Sequence, residues 1–171
     1  MNGVASVRVV RADYANALHA QALLSLLDVY ARDPMGGGEP LSAFTLANLV
    51  PSLAARSQAF SVLAFAGESD AEPLGLVNCI EGFSTFACRP LVNVHDVVVI
   101  PAWRGQRVAQ QMLSLVEALA VERGACKLTL EVLSGNAGAI RLYERVGFAN
   151  YQLDPAMGQA QFLQKWITPS R

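Results

Sequence analysis

The sequence predicts a mixed α/β domain: one central, mostly antiparallel sheet of about seven strands, flanked by four helices. Three observations carry that prediction. Short β-rich runs cluster early and are joined by polar turns, strands alternate with amphipathic helices later, and glycines stand where those helices should stop. At 171 residues the chain suits one domain, 1–171, since domains typically run about 100–200 residues. Hydrophobic residues make up 53% and charged ones 16%, enough apolar material for a core and too little charge for global disorder.

Residues 7–10 form a first short strand. Leu23, Leu26, Leu27 and Tyr30 then fall at i, i+3, i+4 and i+7, one face of a helix. Asp33-Pro34 ends it, because the residue before proline is pushed out of the α region. The segment 35–40 is too rich in glycine for a regular element. Ser42 caps a second helix through about residue 49, which Pro51 interrupts or restarts.

Residues 60–65 and 74–83 read as a hairpin around the polar turn 67–73. The stretch 91–100 is the most β-rich, and its near-continuous apolar run from Val97 to Ile100 suits a strand covered on both faces. Val108, Met112, Leu115, Val116 and Leu119 form the stripe of a helix over 108–122, closed by Gly124. A strand at 127–132, a helix at 137–146 closed by Gly147, and two last strands at 148–153 and 161–167 complete the order.

A net charge of −1 argues against nucleic-acid binding, which calls for a basic stripe. The mean hydropathy is positive, yet no run reaches the roughly 20 apolar residues of a membrane span. Ser6, Arg8 and Arg11 break up the first eleven residues, so no secretory signal is readable and a cytoplasmic protein is expected. Cys79, Cys88 and Cys126 are odd in number and lack CxxC spacing, indicating neither a disulfide framework nor a metal site.

The informative segment runs from Val97 to Ala109: a buried strand, a tight turn and the start of a long helix. A helix N-terminus offers free N–H groups and partial positive charge, so it can hold a phosphate. Gly105 and Ala109 are small, and Arg104 and Arg107 can fork onto phosphate oxygens. By itself this reads as an anion site or as a well-capped surface helix. Neither a P-loop string nor a dinucleotide-binding glycine fingerprint is present.

The string Arg104-Gly105-Gln106-Arg107-Val108-Ala109 resembles the acyl-CoA signature of the GNAT superfamily of N-acetyltransferases. That signature is Arg or Gln, two residues, Gly, one residue, then Gly or Ala. The central glycine is replaced by Arg107. A second block, Asn136-Ala137-Gly138-Ala139-Ile140-Arg141-Leu142-Tyr143-Glu144-Arg145-Val146-Gly147-Phe148, is similar to the later block of the same superfamily, at the same separation. The element order agrees over nearly the whole chain.

The resemblance implies an acyl-CoA N-acyltransferase fold in which strand 91–100 splays from strand 127–132. Pantetheine would lie in that splay against the backbone of Val97, Val98 and Val99, one N–H polarising the thioester carbonyl. Amides from Arg104 through Gly105, Gln106, Arg107 and Val108 to Ala109 would hold the pyrophosphate. Asn136 would bond the pantetheine arm beside Ala139, and Tyr143 would protonate the leaving thiolate. From its helical stripe alone, shared with Ala139, Leu142 and Val146, Tyr143 reads as core packing.

An amine is mostly ammonium at neutral pH and must lose a proton before it attacks. His95 faces the acceptor by the resemblance, and a structural hydrogen bond is the other reading. Strand alternation puts His95 on the face of Asn93, Val97 and Val99, with Asp96 opposite. Glu131 and Asp96 are reserve carboxylates, and His19 reads as surface or packing. The acceptor pocket would draw on 35–41, 83–90 and 154–158, with Glu39, Phe83 and Phe86 as contacts.

The expected activity is acetyl-CoA-dependent transfer of an acetyl group to a primary amine of a small molecule or peptide, directly and without metal. Its rivals are a non-catalytic acyl-CoA sensor of the same fold and a nucleotide-binding α/β protein. Dimerisation is common in the superfamily, and the strand around 162–167 could serve a homodimer.

Overall fold

The computed structural model describes residues 6–167, so residues 1–5 of the N-terminal stretch lie outside it. The chain divides into two units, Met1–Leu133 and Ser134–Arg171.

The first unit holds one five-stranded sheet in sequential order: β1 (Val7–Arg11), β2 (Ala59–Ala66), β3 (Pro73–Ser84), β4 (Arg89–Val99) and β5 (Leu128–Leu130). Neighbours from β1 to β4 are antiparallel, whereas β4 and β5 run parallel. Helices α1 (Ala17–Arg32) and α2 (Ala43–Ala54) cover one face, where Leu23, Leu26 and Val50 pack with Leu63, Phe65, Leu76 and Val98. Helix α3 (Val108–Glu122) covers the other and buries Val108, Met112, Leu113, Val116 and Leu119. Its fit to β3 is close enough that a methyl on Gly75 would stand 2.7 Å from Met112 Cε.

Local signals explain the helix ends. The Asn16 side-chain Oδ1 accepts N–H bonds from Leu18 and His19, and Ser42 Oγ accepts from Thr45, so two orphan helix N-termini are satisfied. Helix α2 does not break at Pro51 as its sequence suggests; it continues to Ala54, losing only the hydrogen bond that a proline nitrogen cannot donate. Gly124, at φ +71°, closes α3.

The expected strand at 127–132 shortens to Leu128–Leu130, because its pairing with β4 ends at Val94. β4 itself continues to Val99, so the two strands part company there.

In the second unit, α4 (Ala137–Arg145) is capped by Asn136 and followed by Gly147 at φ +99°. The strands expected at 148–153 and 161–167 are absent, and five strands stand among the described residues where seven were expected. β-Prone residues form a strand only when a neighbour takes up their backbone groups. Here Asp154 caps a short turn, Pro155–Met157, and Gly158 at φ +85° redirects the chain. Phe162, Leu163, Trp166 and Ile167 are exposed, so the strand expected to serve a dimer is not formed.

Candidate active site

The centre of the site is an irregularity in β4. Asn78 of β3 pairs with Asp96, yet the next residue, Cys79, pairs with Val94, leaving His95 as an extra, unpaired residue. Such a bulge shifts side-chain alternation by one residue. The face assignment read from unbroken alternation is therefore corrected. Asp96 and Val98 join Asn93 on the α1–α2 face, because they pair with Asn78, Leu76 and Ile80, while Val97 and Val99 join Val92 and Val94 on the α3 face.

Backbone polarity follows the same register. The Ile100 N–H donates to Leu74 at 2.9 Å, so Val98 also directs its backbone to β3, and Val97 and Val99 direct theirs to the edge that β5 has left. Beyond Val99 the chain makes a turn through Pro101–Trp103 and reaches α3. The first helical bond there is Gln111 N–H to the Arg107 carbonyl, which leaves the amides of Val108, Ala109 and Gln110 without helical partners. No side chain caps this end.

Arg104 and Arg107 differ from expectation in distinct ways. The Arg104 guanidinium donates to the Val99 carbonyl at 3.0 Å and to Asp33 Oδ2 at 3.3 Å, so it ties the turn to α1 rather than standing free for an anion. Its own amide donates to Pro101. Arg107 is exposed and sits at φ +64°, ψ +14°, the left-handed region, two residues after Gly105 at φ +78°. Gln106 donates through Nε2 to the Ala102 carbonyl.

On the α1–α2 face, Asn93 Nδ2 donates to Thr129 Oγ1 at 3.0 Å and lies 3.4 and 3.5 Å from the two Glu131 oxygens. Asn93 Oδ1 is buried and carries no hydrogen bond among the described residues. His95 and Glu131 are both exposed. Asp96 is half-buried, and its Oδ2 accepts from Asn78 Nδ2 at 3.0 Å.

The glycine-rich segment is tied down rather than loose. Asp33 accepts from Met35 through its carboxylate and from Gly36 and Gly38 through its carbonyl, and Leu41 N–H donates to Asp28. A methyl on Gly36 would stand 1.9 Å from the Tyr30 carbonyl oxygen. The Met35 N–H, helped by Arg104, holds the Asp33 carboxyl below the usual carboxylate range. Glu39 is exposed, as are Phe83 and Phe86 near the turn joining β3 to β4. Phe83 shares the β3 face of Cys79 and Glu81, away from Asn93 and Asp96.

Burial, together with the charge of Asp96, pushes the Cys79 thiol up to about 12, so it stays protonated and unsuited to nucleophilic attack. His19, expected at the surface or in packing, is buried and stacks on Phe65. Among the described residues no cluster of His, Cys, Asp or Glu could hold a metal, and no helix is long and apolar enough to cross a membrane.

A sequence model of the acetyltransferase (GNAT) family matches residues 23–148. The chain belongs to that family. A stretch of 68 residues is 40% identical to streptothricin acetyltransferase of Streptomyces lavendulae, covering 40% of this chain and 36% of that one. The chain spans little more than a third of the length of the curated relatives it matches. A crystal structure of a probable acetyltransferase superposes with a TM-score of 0.78 at 22% identity, over 94% of this chain and 99% of the other. An aminoglycoside N-acetyltransferase in complex with CoA gives 0.71 at 15%, over 96% and 98%. These last two likenesses are of fold.

GNAT enzymes use acetyl-CoA, and the residues present suit it. The backbone of Val97 and the N–H of Val99, on the edge that β5 has left, can pair with an amide-bearing arm, and the uncapped start of α3 offers amides to phosphate. Gly105 and Arg107, both left-handed, turn the backbone into that helix. In the second unit, Asn136 Oδ1 accepts from the Ala139 N–H at 3.1 Å, so Ala139's amide is committed to the cap and Asn136 keeps its NH2 group to donate. Tyr143 is half-buried and meets Phe148 edge-on, ring centroids 5.8 Å apart. Sequence reasoning passed over Asp33 and Asn78, whose partners lie far along the chain and carry no local signature.

Proposed function

We propose that this chain, 1–171, is a single acetyltransferase domain that moves an acetyl group from acetyl-CoA directly to a primary amine. The observation that carries the reading is the double use of β4. One side of it presents the Val97 backbone and the Val99 N–H, and its α1–α2 face, at the bulge, presents Asn93 and Asp96, with Glu131 across from Asn93 on the β5 side.

Acetyl-CoA supplies the activated acyl group. The amides of Val108 and Ala109, with the positive end of α3 and the exposed Arg107, hold its phosphates. Asn136 donates to its amide-bearing arm. The N–H of Val97 or Val99 hydrogen-bonds the carbonyl oxygen as negative charge develops there. His95 takes the proton from the attacking nitrogen, with Glu131 as the second candidate, and Tyr143 returns a proton to the departing sulfur. Holding both reactants on one strand makes the attack effectively intramolecular.

A small polycationic amine is the favoured acceptor, supported by the local likeness to streptothricin acetyltransferase and by the aminoglycoside-modifying neighbours of the same fold. Glu39 supplies a further exposed carboxylate for such a molecule. A peptide amine is the broader alternative, and the protein acts in the cytoplasm. A non-catalytic acyl-CoA sensor is favoured by one feature only, Arg107 in the glycine position. Calorimetry with acetyl-CoA tests the first step: stoichiometric binding, lost on placing Asp at Ala109, supports the reading, and no binding sinks it.

A further inference from the structure

We infer that Asn78 is a positioning residue of this reaction, holding Asp96 so that its second carboxylate oxygen faces the acceptor amine. The inference rests on the acetyltransferase reading and adds to it Asn78, the residue that orients Asp96.

A polar chain crosses the sheet. Tyr14 Oη lies 2.9 Å from Ser61 Oγ, Ser61 Oγ lies 2.6 Å from Asn78 Oδ1, and Asn78 Nδ2 lies 3.0 Å from Asp96 Oδ2. Ser61 and Asn78 are buried as a cross-strand pair next to the Leu63–Leu76 pair on the α1–α2 face, where apolar side chains would pack without desolvation cost. The directions are fixed. Ser61 spends its only proton on the Asn78 carbonyl, so Tyr14 donates to Ser61, and Asn78 is left with its NH2 group aimed at Asp96. Burial raises Tyr14 above its ordinary value, in keeping with a donor that stays protonated. An amide N–H does not pass a proton onward, so the chain orients Asp96 and does not conduct.

Three further facts place Asp96 on the acceptor side. The bulge at His95 turns Asp96 onto the face of Asn93, where plain alternation would have hidden it. Its Oδ1 carries no hydrogen bond among the described residues, and the residue is half-exposed. Tyr30, whose carbonyl abuts Gly36, packs against the cluster of Leu76 and Val98 on this same face, so the helix that leads into the glycine-rich segment covers the side of the sheet that carries Asp96. A carboxylate held by one oxygen, with the other open on that face, suits an ammonium group.

The test is a double-mutant cycle on the full chain, Asn78→Leu, Asp96→Asn and both, with acetyl-CoA saturating and the amine varied. Asn78→Leu should lower kcat/KM for the amine about tenfold, the scale of one charge-assisted hydrogen bond, with acetyl-CoA affinity unchanged. In the Asp96→Asn background it should add nothing. Equal losses in both backgrounds, or a loss of acetyl-CoA affinity instead, would overturn the inference. Should Asn78→Leu not fold, Ser61→Ala removes the bond that orients the amide and should give a smaller loss of the same kind. If the wild-type protein acetylates no amine, the acetyltransferase reading fails separately. The Asn78 side-chain amide signals in a 15N spectrum then decide: a shift on adding spermidine, abolished by Asp96→Asn, supports the inference, and no shift contradicts it.

Discussion

Arg104 and Asp33 meet across 71 residues of sequence, Nη2 to Oδ2 at 3.3 Å, while Arg104 Nε holds the Val99 carbonyl at 3.0 Å. One guanidinium thus joins the end of β4, the turn before α3 and the C-cap of α1. The pair is partly exposed, so its direct contribution to stability is small. Its consequence is positional, since the same carboxylate also holds the start of the glycine-rich segment through the Met35 N–H. Asp33→Ala should weaken acetyl-CoA binding about threefold to tenfold by loosening both segments, as measured by calorimetry, with little change in Tm. Unchanged affinity would leave Arg104 a surface contact.

Arg107 holds a left-handed conformation that costs an L-residue about 1–2 kcal/mol. Arg107→Gly should therefore raise Tm, by less than the full amount because glycine also frees the unfolded chain. It should weaken acetyl-CoA binding by removing a charge beside the uncapped helix. Arg107→Ala separates the effects: it keeps the strain and loses the charge, so binding weakens with no gain in Tm.

The bulge explains why part of this site was not legible in the sequence. Alternation counts assume one residue per pleat, and the run from Val97 to Ile100 is apolar on both faces, so nothing betrays the extra residue at His95. The caps at Ser42 and the stops at Gly124 and Gly147 were legible because they depend on nearest neighbours alone. The partners of Arg104 were not legible for the opposite reason: Asp33 and Val99 are brought to it by tertiary structure. At 148–167 composition gave β-propensity without the pairing strand that propensity requires.

His19 gives the fold a pH dependence of known sign. Its Nδ1 accepts from the Asp13 N–H at 3.0 Å and its Nε2 lies 3.2 Å from Asp70, which also pairs with Arg8. Burial, with the nearby Arg8, holds the imidazole below its ordinary value. The folded state thus favours neutral His19, whose stabilisation is complete above the unfolded value of about 6.5 and is lost as pH falls through the lower folded value. Urea unfolding between pH 7.5 and about 5 should show that loss, reduced in His19→Asn; parallel pH curves for the two proteins would refute it.

Tyr143→Phe removes one hydroxyl and leaves the edge-on contact with Phe148. Turnover should fall about a hundredfold, the lower range for a lost general acid, with acetyl-CoA affinity nearly unchanged. An unaltered rate would return Tyr143 to packing within α4.

The central claim is that this chain transfers acetyl groups to an amine. Thiol release from acetyl-CoA, followed across polyamines, aminoglycosides, streptothricin and peptide amines, tests it most directly. The account predicts release that depends on one amine class, saturates with it and collapses in Tyr143→Phe. Tight acetyl-CoA binding with no amine-dependent release from any class would contradict it and make the protein an acyl-CoA sensor.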